Sequence, residues 1–268
     1  MIDAFQAIVL ALVQGLTEFL PISSSAHLVI PSLVLEWPDQ GLAFDVAVHV
    51  GSLVAVLYYY RQTLRELAVD WFGSLAGQGT TVNSRMVWYL GFATIPAGLA
   101  GIILEQFIED HARSLLVIAS TTLIFGLLLG LADHHAERTP GDEPLTFWRG
   151  LFIGCAQAVA LVPGVSRSGV TITAALMLNM SRQDAARFSF LLSIPIIASA
   201  GGLKTWELMG LGEPFDVPMM ALGAVVSGVA AYACIALFLR LLDRVGMRPF
   251  VYYRIALAIV LFSIWLGS

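Results

Sequence analysis

Residues 14–28 read QGLTEFLPISSSAHL, with the apolar run MIDAFQAIVLALV before them and VIPSLVL after. A glutamate, three consecutive serines and a histidine thus interrupt sequence otherwise suited to hydrocarbon. The interruption matters because the whole chain is of that kind: 58% of its 268 residues are hydrophobic and 12% are charged. A soluble domain carries about 25% charged residues, and the mean hydropathy here is +0.82. Several apolar stretches have the length of a membrane-crossing helix, about 20 residues, and no alternating ten-residue pattern, approximately, points to a barrel. The expected class is an all-α polytopic membrane protein.

Six segments are long enough to span: Phe44 to Tyr60, Met86 to Leu104, Ser114 to Ala132, Phe188 to Trp206, Met219 to Leu239 and Val251 to Gly267. Four apolar pieces, 2–13, 27–35, 150–162 and 170–180, are shorter. Pieces of about 10–14 residues read as re-entrant rather than spanning. They form two pairs, each joined by a polar, proline-containing stretch. The second joint, QAVALVPGVSRSGVTIT at 157–173, repeats the first, QGLTEFLPISSSAHLVI at 14–30, with a one-residue shift. Both run from a glutamine through an apolar patch and a proline to a serine-rich turn that opens a short helix. FDVAVHVGSLVAV from 44 likewise parallels FSFLLSIPIIASA from 188. The reading is a single membrane domain made by duplication, with a first repeat at 1–133 and a second at 149–268. Each repeat is a re-entrant helical hairpin plus three transmembrane helices.

Three crossings per half force the second half to insert upside down, giving two inverted-topology repeats. Loop charges agree. With the first span running inward, the inner ends carry Arg61, Arg65, Arg85, Arg138, Arg149, Arg182, Arg187, Arg240, Arg244 and Arg248. The outer connections carry Glu36, Asp39, Glu105, Glu109, Asp110, Glu207, Glu213 and Asp216, with Arg113 and Lys204 as their cations. That is a positive-inside bias. The first hairpin then dips in from the outer face and the second from the cytoplasmic face, so that their tips meet within the membrane.

Non-helical backbone at membrane depth must be buried in protein or line a wet cavity. Both joints end in serines that open a helix: Ser23, Ser24 and Ser25 in the first, Ser166 and Ser168 in the second. A serine there caps free N–H groups, and a helix N-terminus favours an anion. Arg167 adds a planar guanidinium suited to phosphate oxygens, and an ionisable residue at this depth is a functional candidate by default. Glu18 supplies an acid or base, or a ligand for a divalent cation shared with substrate phosphates. His27 supplies a proton relay or a nucleophile. A serine, Ser24 by preference, is the other candidate for attack. The constellation suits phosphoryl transfer to water.

At these residues the chain resembles the undecaprenyl pyrophosphate phosphatases, also called bacitracin-resistance proteins. Their first signature, (E/Q)xxxE followed by P-x-S-S and a nearby histidine, is matched by Gln14, Glu18, Pro21, Ser23, Ser24 and His27. Their second, P-G-x-S-R-S-x-x-T, is matched by Pro163, Gly164, Ser166, Arg167, Ser168 and Thr171. The resemblance covers nearly the whole chain. It implies hydrolysis of a C55 isoprenyl pyrophosphate lipid to the monophosphate carrier at the outer side of the bacterial plasma membrane, in support of cell-wall precursor recycling and bacitracin resistance. It also implies a divalent cation such as Mg or Ca. Glu18, Ser24, His27 and Arg167 become the catalytic candidates. Ser23, Ser25, Ser166, Ser168 and Thr171 become phosphate-binding candidates, with Gln14, Pro163 and Gly164 in support. The first motif opens on Gln14 rather than glutamate, and Ala26 stands where glycine often precedes the histidine. A secondary transporter or lipid flippase is the competing class, because inverted repeats with broken helices are a transporter design.

Elsewhere the signals are weaker. His49 lies in a span and reads first as a packed interior histidine and second as a residue lining the cavity, while His111, His134 and His135 read as solvated loop residues. Tyr58, Tyr59, Tyr60, Trp88, Trp148, Tyr252 and Tyr253 sit near span ends, where aromatic belts form. Gly91, Gly98 and Gly101, and Gly223 and Gly228, suit close helix packing and a homodimer. Cys155 and Cys234 read as buried thiols without a disulfide framework. Residue 1 is expected to begin the mature chain, since no basic start or cleavage site precedes the first apolar run. A net charge of −5 with no basic tract argues against a nucleic-acid partner.

Overall fold

The computed structural model describes residues 2–35, 37–138, 144–211 and 216–267, so Glu36 and Glu213 lie outside the described residues. Its helices are α1 (Ala4–Thr17), α2 (Ser24–Val34), α3 (Leu42–Tyr59), α4 (Arg61–Leu75), α5 (Val82–His111), α6 (Leu115–Arg138), α7 (Phe147–Val159), α8 (Arg167–Met177), α9 (Arg182–Leu211), α10 (Val217–Val245) and α11 (Arg248–Gly267). Six of these, α3, α5, α6, α9, α10 and α11, are long and apolar enough to cross a membrane. Each coincides with one of the expected spans and extends it at one or both ends. The protein is an all-helical, multi-pass membrane protein.

The four short pieces form the helix pairs α1–α2 and α7–α8. With 14 and 11 residues in the first pair and 13 and 11 in the second, none reaches beyond about 21 Å, against a hydrocarbon core of about 30 Å. Helix α1 starts on a capping box between Asp3 and Gln6 and stops as the chain nears Pro21. The joints lie over the main core, where Phe19 at the end of the first hairpin meets Phe190 of α9 edge to face.

Small residues let the helices approach. A Cβ on Gly51 of α3 would collide with the Ala224 carbonyl of α10, and one on Gly228 would stand 3.1 Å from the Gly51 carbonyl. Ser52 and Ser227 exchange a 2.9 Å hydrogen bond across the same crossing. Gly223 packs on Phe44 of α3, so both α10 glycines serve contacts within the chain. Among the described residues Gly91 and Gly98 of α5 serve no such contact, since none of them comes within 4 Å of a Cβ built on either. At the arginine-rich end, Arg182 pairs with Asp133 at 2.6 Å and Glu137 at 2.7 Å, and Arg248 with Glu137 at 2.7 Å. This cluster ties α6, α9 and α11 together. At the other end Lys204 of α9 pairs with Glu105 of α5 and with Glu207.

Several expectations need correction. The segment after Tyr60, for which the sequence reading offers no element, forms helix α4, whose Leu67 is buried while Val69, Phe72 and Leu75 are exposed. Its mixed composition hid it from a search for apolar spans. His111 closes α5, and His134 and His135 lie in the last turns of α6 rather than in loops. Tyr60 is buried, and Cys155 is exposed.

Candidate active site

Two serines set the local geometry of the joints. Ser23 has φ 74° and ψ 93°, and Ser166 has φ 72° and ψ 117°. Residues other than glycine avoid this region, and holding one there costs about 1–3 kcal/mol. The same departure recurs at the corresponding position of each joint, immediately before α2 and before α8. Each serine caps its helix: Ser23 Oγ accepts from Ala26 N at 3.4 Å and Ser166 Oγ from Gly169 N at 3.1 Å. Each also meets the serine two residues on, Ser25 at 3.2 Å and Ser168 at 3.3 Å. The caps leave the first-turn amides of Ser24 and Ser25, and of Arg167 and Ser168, without intrahelical acceptors.

The residues that follow the two strained serines converge on one carboxylate. Ser24 donates to Glu18 Oε2 at 2.8 Å, and Arg167 Nη2 donates to Glu18 Oε1 at 3.1 Å. Gln14, one turn earlier on α1, donates to Oε2 at 3.0 Å. Glu18 is 7% exposed; an isolated carboxylate would be costly at that depth, and this one has a cation and two further donors. The hairpins are also joined directly, Ser168 donating to the Leu20 carbonyl at 2.8 Å. A cavity of about 320 Å³ opens above the carboxylate, lined by Glu18, Ser23, Ser24 and Ser25 from one joint and Ser166 and Arg167 from the other. Helix α3 contributes Asp45 and His49 to its wall, and α9 contributes Ile197, Gly201 and Lys204. Two helix N-termini and two cations thus face one acid-containing cavity, which can receive a phosphate group and position a hydroxyl against it.

Not every expected residue faces this space. His27 is turned to Tyr253 of α11: the rings stack, Nε2 is 2.6 Å from the tyrosine hydroxyl, and Nδ1 is 2.7 Å from the Ser23 carbonyl. Both nitrogens of His27 are therefore committed. Tyr253, expected in an aromatic belt, is its partner. Thr171 is fully buried, bonded to the Arg167 carbonyl at 2.8 Å and to Ser189 at 2.7 Å, and so stands behind Arg167 rather than in the cavity. Pro163 and Gly164 shape the second joint. The Pro163 carbonyl accepts from Thr121 at 2.7 Å, and Gly164, with φ +90°, lies so near Thr121 that a Cβ would collide with its hydroxyl.

Two residues that the sequence reading placed elsewhere, or passed over, belong to the site. His49, expected to be packed in the interior, is 3.8 Å from Glu18 Oε2 through Nε2. Its Nδ1 lies 2.7 Å from the Asp45 carbonyl, a contact that fixes a proton on Nδ1 and turns Nε2 to the cavity. Arg254 of α11 is wholly buried. It donates to five carbonyls: Thr122 from Nε at 3.0 Å, Pro21 and Val165 from Nη1 at 3.2 and 3.0 Å, and Thr121 and Gly164 from Nη2 at 3.4 and 2.8 Å. One guanidinium thus holds both joints and α6. The available signal was the same for both: an ionisable residue within a span.

Among the described residues no group of three or more histidine, cysteine, aspartate or glutamate side chains is arranged to hold a metal by itself. The carboxylates that line the cavity are Glu18 and Asp45, the residue type a hard divalent cation takes as ligand.

Known proteins match the chain over nearly all of its length. An undecaprenyl-diphosphatase of Teredinibacter turnerae is 53% identical over 260 residues, covering 97% of this chain and 98% of the relative. One of Thioalkalivibrio sulfidiphilus is 54% identical over 268 residues, covering 98% and 100%. Undecaprenyl-diphosphatase 2 of Stutzerimonas stutzeri is 54% identical over 268 residues, covering 99% of each. The family described as bacitracin resistance protein BacA matches residues 7–260, both joints and Arg254 included. The chain belongs to that family.

Proposed function

We propose that the protein is an integral membrane phosphatase that hydrolyses undecaprenyl diphosphate to undecaprenyl phosphate and inorganic phosphate. The relatives' names support the reaction, and the observation that carries it in this chain is the convergence of Ser24 and Arg167 on Glu18 beneath two helix N-termini. The terminal phosphate binds the amides that open α2 and α8 and the Arg167 guanidinium, which then bears part of the charge that develops on the phosphate oxygens. Ser24 Oγ, or a water in its place, attacks the terminal phosphorus. A bond forms from that oxygen to phosphorus, the bond from phosphorus to the bridging oxygen breaks, and the lipid leaves as the monophosphate. Should Ser24 be the nucleophile, water attacks the phosphoserine in a second displacement and releases inorganic phosphate. Glu18 and His49 receive and return the proton. The role proposed for His27 is to fix the Ser23 turn through its two committed nitrogens. A divalent cation held by Glu18 or Asp45 and the diphosphate would neutralise phosphate charge.

The wider reading has the two halves, 1–133 and 149–268, as inverted repeats, supported by the matched conformation of Ser23 and Ser166. The enzyme lies in the bacterial inner membrane with the cavity open to the outer face, a placement supported by the loop charges. Restoring the carrier lipid there serves cell-wall synthesis and bacitracin resistance. The test is phosphate release from a prenyl diphosphate by purified protein in detergent. Release by the wild type and its loss, by about 10³-fold or more, in a folded Arg167→Ala protein support an enzyme. No release with Mg or Ca present would leave the transporter reading standing.

A further inference from the structure

We infer that the apolar groove between α3 and α9 is the binding site for the isoprenyl tail of the substrate, a reading that rests on the proposed hydrolysis of a prenyl diphosphate. The groove has a volume of about 400 Å³ and is lined by Val50 and Leu53 of α3 and by Ile197, Gly201, Gly202 and Trp206 of α9, among others. Ile197 and Gly201 also line the phosphate cavity, so the two spaces adjoin along α9. This adjacency is what assigns the occupant. A prenyl diphosphate is an amphiphile whose polar head and apolar chain are covalently joined, so the chain must leave the cavity through an apolar wall that adjoins it. The two joints close the cavity with serines, Arg167 and Glu18; the α3/α9 side supplies the aliphatic surface.

The groove is also open to the bilayer. Val50 is 42% exposed and Trp206 77%, and none of the described residues comes within 4 Å of a Cβ built on Gly201 or Gly202. The bare glycines leave a channel on the face of α9 where side chains would otherwise stand. A second apolar groove, between α1 and α10, is lined by Leu16, Cys234, Leu237 and Leu241 and shares no residue with the phosphate cavity. It offers the tail no route and serves as the control. Because lipid tails are as apolar as the groove, seating the chain there gives little hydrophobic gain. The groove acts through shape, holding the first isoprene units so that the diphosphate is presented to Arg167 and Ser24.

Gly202→Leu narrows the groove outside the phosphate cavity, and Leu237→Trp fills the control groove. Both variants and the wild type are purified in detergent and assayed on C55 and C15 prenyl diphosphates, with methylenebisphosphonate inhibition reporting head-group binding. The expected result is a loss of about tenfold or more in kcat/KM for Gly202→Leu on both lipids, unchanged inhibition by the bisphosphonate, and wild-type kinetics for Leu237→Trp. Activity of Gly202→Leu within about twofold of wild type, or an equal loss in Leu237→Trp, would overturn the assignment. A prenyl diphosphate carrying a benzophenone on its tail gives a readout independent of turnover and of how either variant folds. Crosslinks on the wild-type protein at 50–53 and 197–206 support the groove, and crosslinks at α1 and α10 in their place refute it. A wild type that releases no phosphate yet labels at α3 and α9 would defeat the proposed reaction and leave the groove intact.

Discussion

Replacing Arg254 by lysine tests whether a residue outside the cavity holds the active site together. The guanidinium bonds five carbonyls from three segments: Pro21 in the first joint, Gly164 and Val165 in the second, and Thr121 and Thr122 in α6. A lysine ammonium keeps the charge but donates from a single point to at most three acceptors. At least two carbonyls therefore lose their donor in a site that is 0% exposed. The Thr121 and Thr122 carbonyls, inside α6, keep their helical partners; at about 1–3 kcal/mol for each buried acceptor left unbonded, loss of the donor to the turn carbonyls of Pro21 and Val165 costs about 2–6 kcal/mol, less whatever water entry recovers. The functional cost is larger than that of a remote core change, because the unheld carbonyls belong to the turns that aim Ser24 and Arg167 at Glu18. A misplacement of about 1 Å at such a site lowers the rate by about 10²-fold. The assay pairs thermal unfolding in detergent with phosphate release from a prenyl diphosphate, for Arg254→Lys and Arg254→Ala. Added guanidinium or methylguanidinium ion should restore part of the activity of Arg254→Ala and none of that of Arg167→Lys. Should Arg254→Lys retain kcat/KM and unfolding temperature close to wild type, the proposed clamp is wrong.

Further outcomes are expected at neighbouring residues. Ser166→Gly relieves a backbone held at φ 72° and forgoes only a few tenths of a kcal/mol as a cap, so the protein should unfold at an equal or higher temperature. Its phosphatase rate should nonetheless fall as the turn loses its preferred shape, and an unchanged rate would show that the strain has no bearing on function. His49→Gln keeps a polar group beside Glu18 but cannot carry a proton; kcat should drop by about 10²-fold or more with KM little changed, and an unchanged kcat would remove His49 from proton transfer. For orientation, single cysteines at Asp110 and Gln78 in a background lacking Cys155 and Cys234 should differ in intact cells. A membrane-impermeant maleimide should label the first and not the second, and the reverse pattern would invert the proposed topology.

The spans and the two joints were legible because each rests on a strong, one-dimensional signal: long apolar runs in one case, prolines and serines in otherwise apolar sequence in the other. The convergence of Glu18, Ser24 and Arg167 could be anticipated because the joints repeat each other. What was hidden depends on contacts between distant segments. Nothing near residue 254 in the sequence indicates that its side chain ends among carbonyls from 21, 121, 122, 164 and 165. The direction of a side chain is equally invisible. His27 and His49 both sit in helices near the serines, and only the rotation of each helix decides that one meets Tyr253 and the other Glu18. Helix α4 escaped for a compositional reason, since four charged residues in fifteen mask an amphipathic face.

The clamp at Arg254 also constrains how the enzyme comes into being. Residues emerge from the ribosome in order, so both serine turns are synthesised and inserted long before α11 exists. Until that helix docks on α6, the turn carbonyls of Pro21, Gly164 and Val165 have no guanidinium to meet and must be served by water or the insertion machinery. The two turns therefore reach their final bonding only when nearly the whole chain has been made, because their shared donor stands in the last helix.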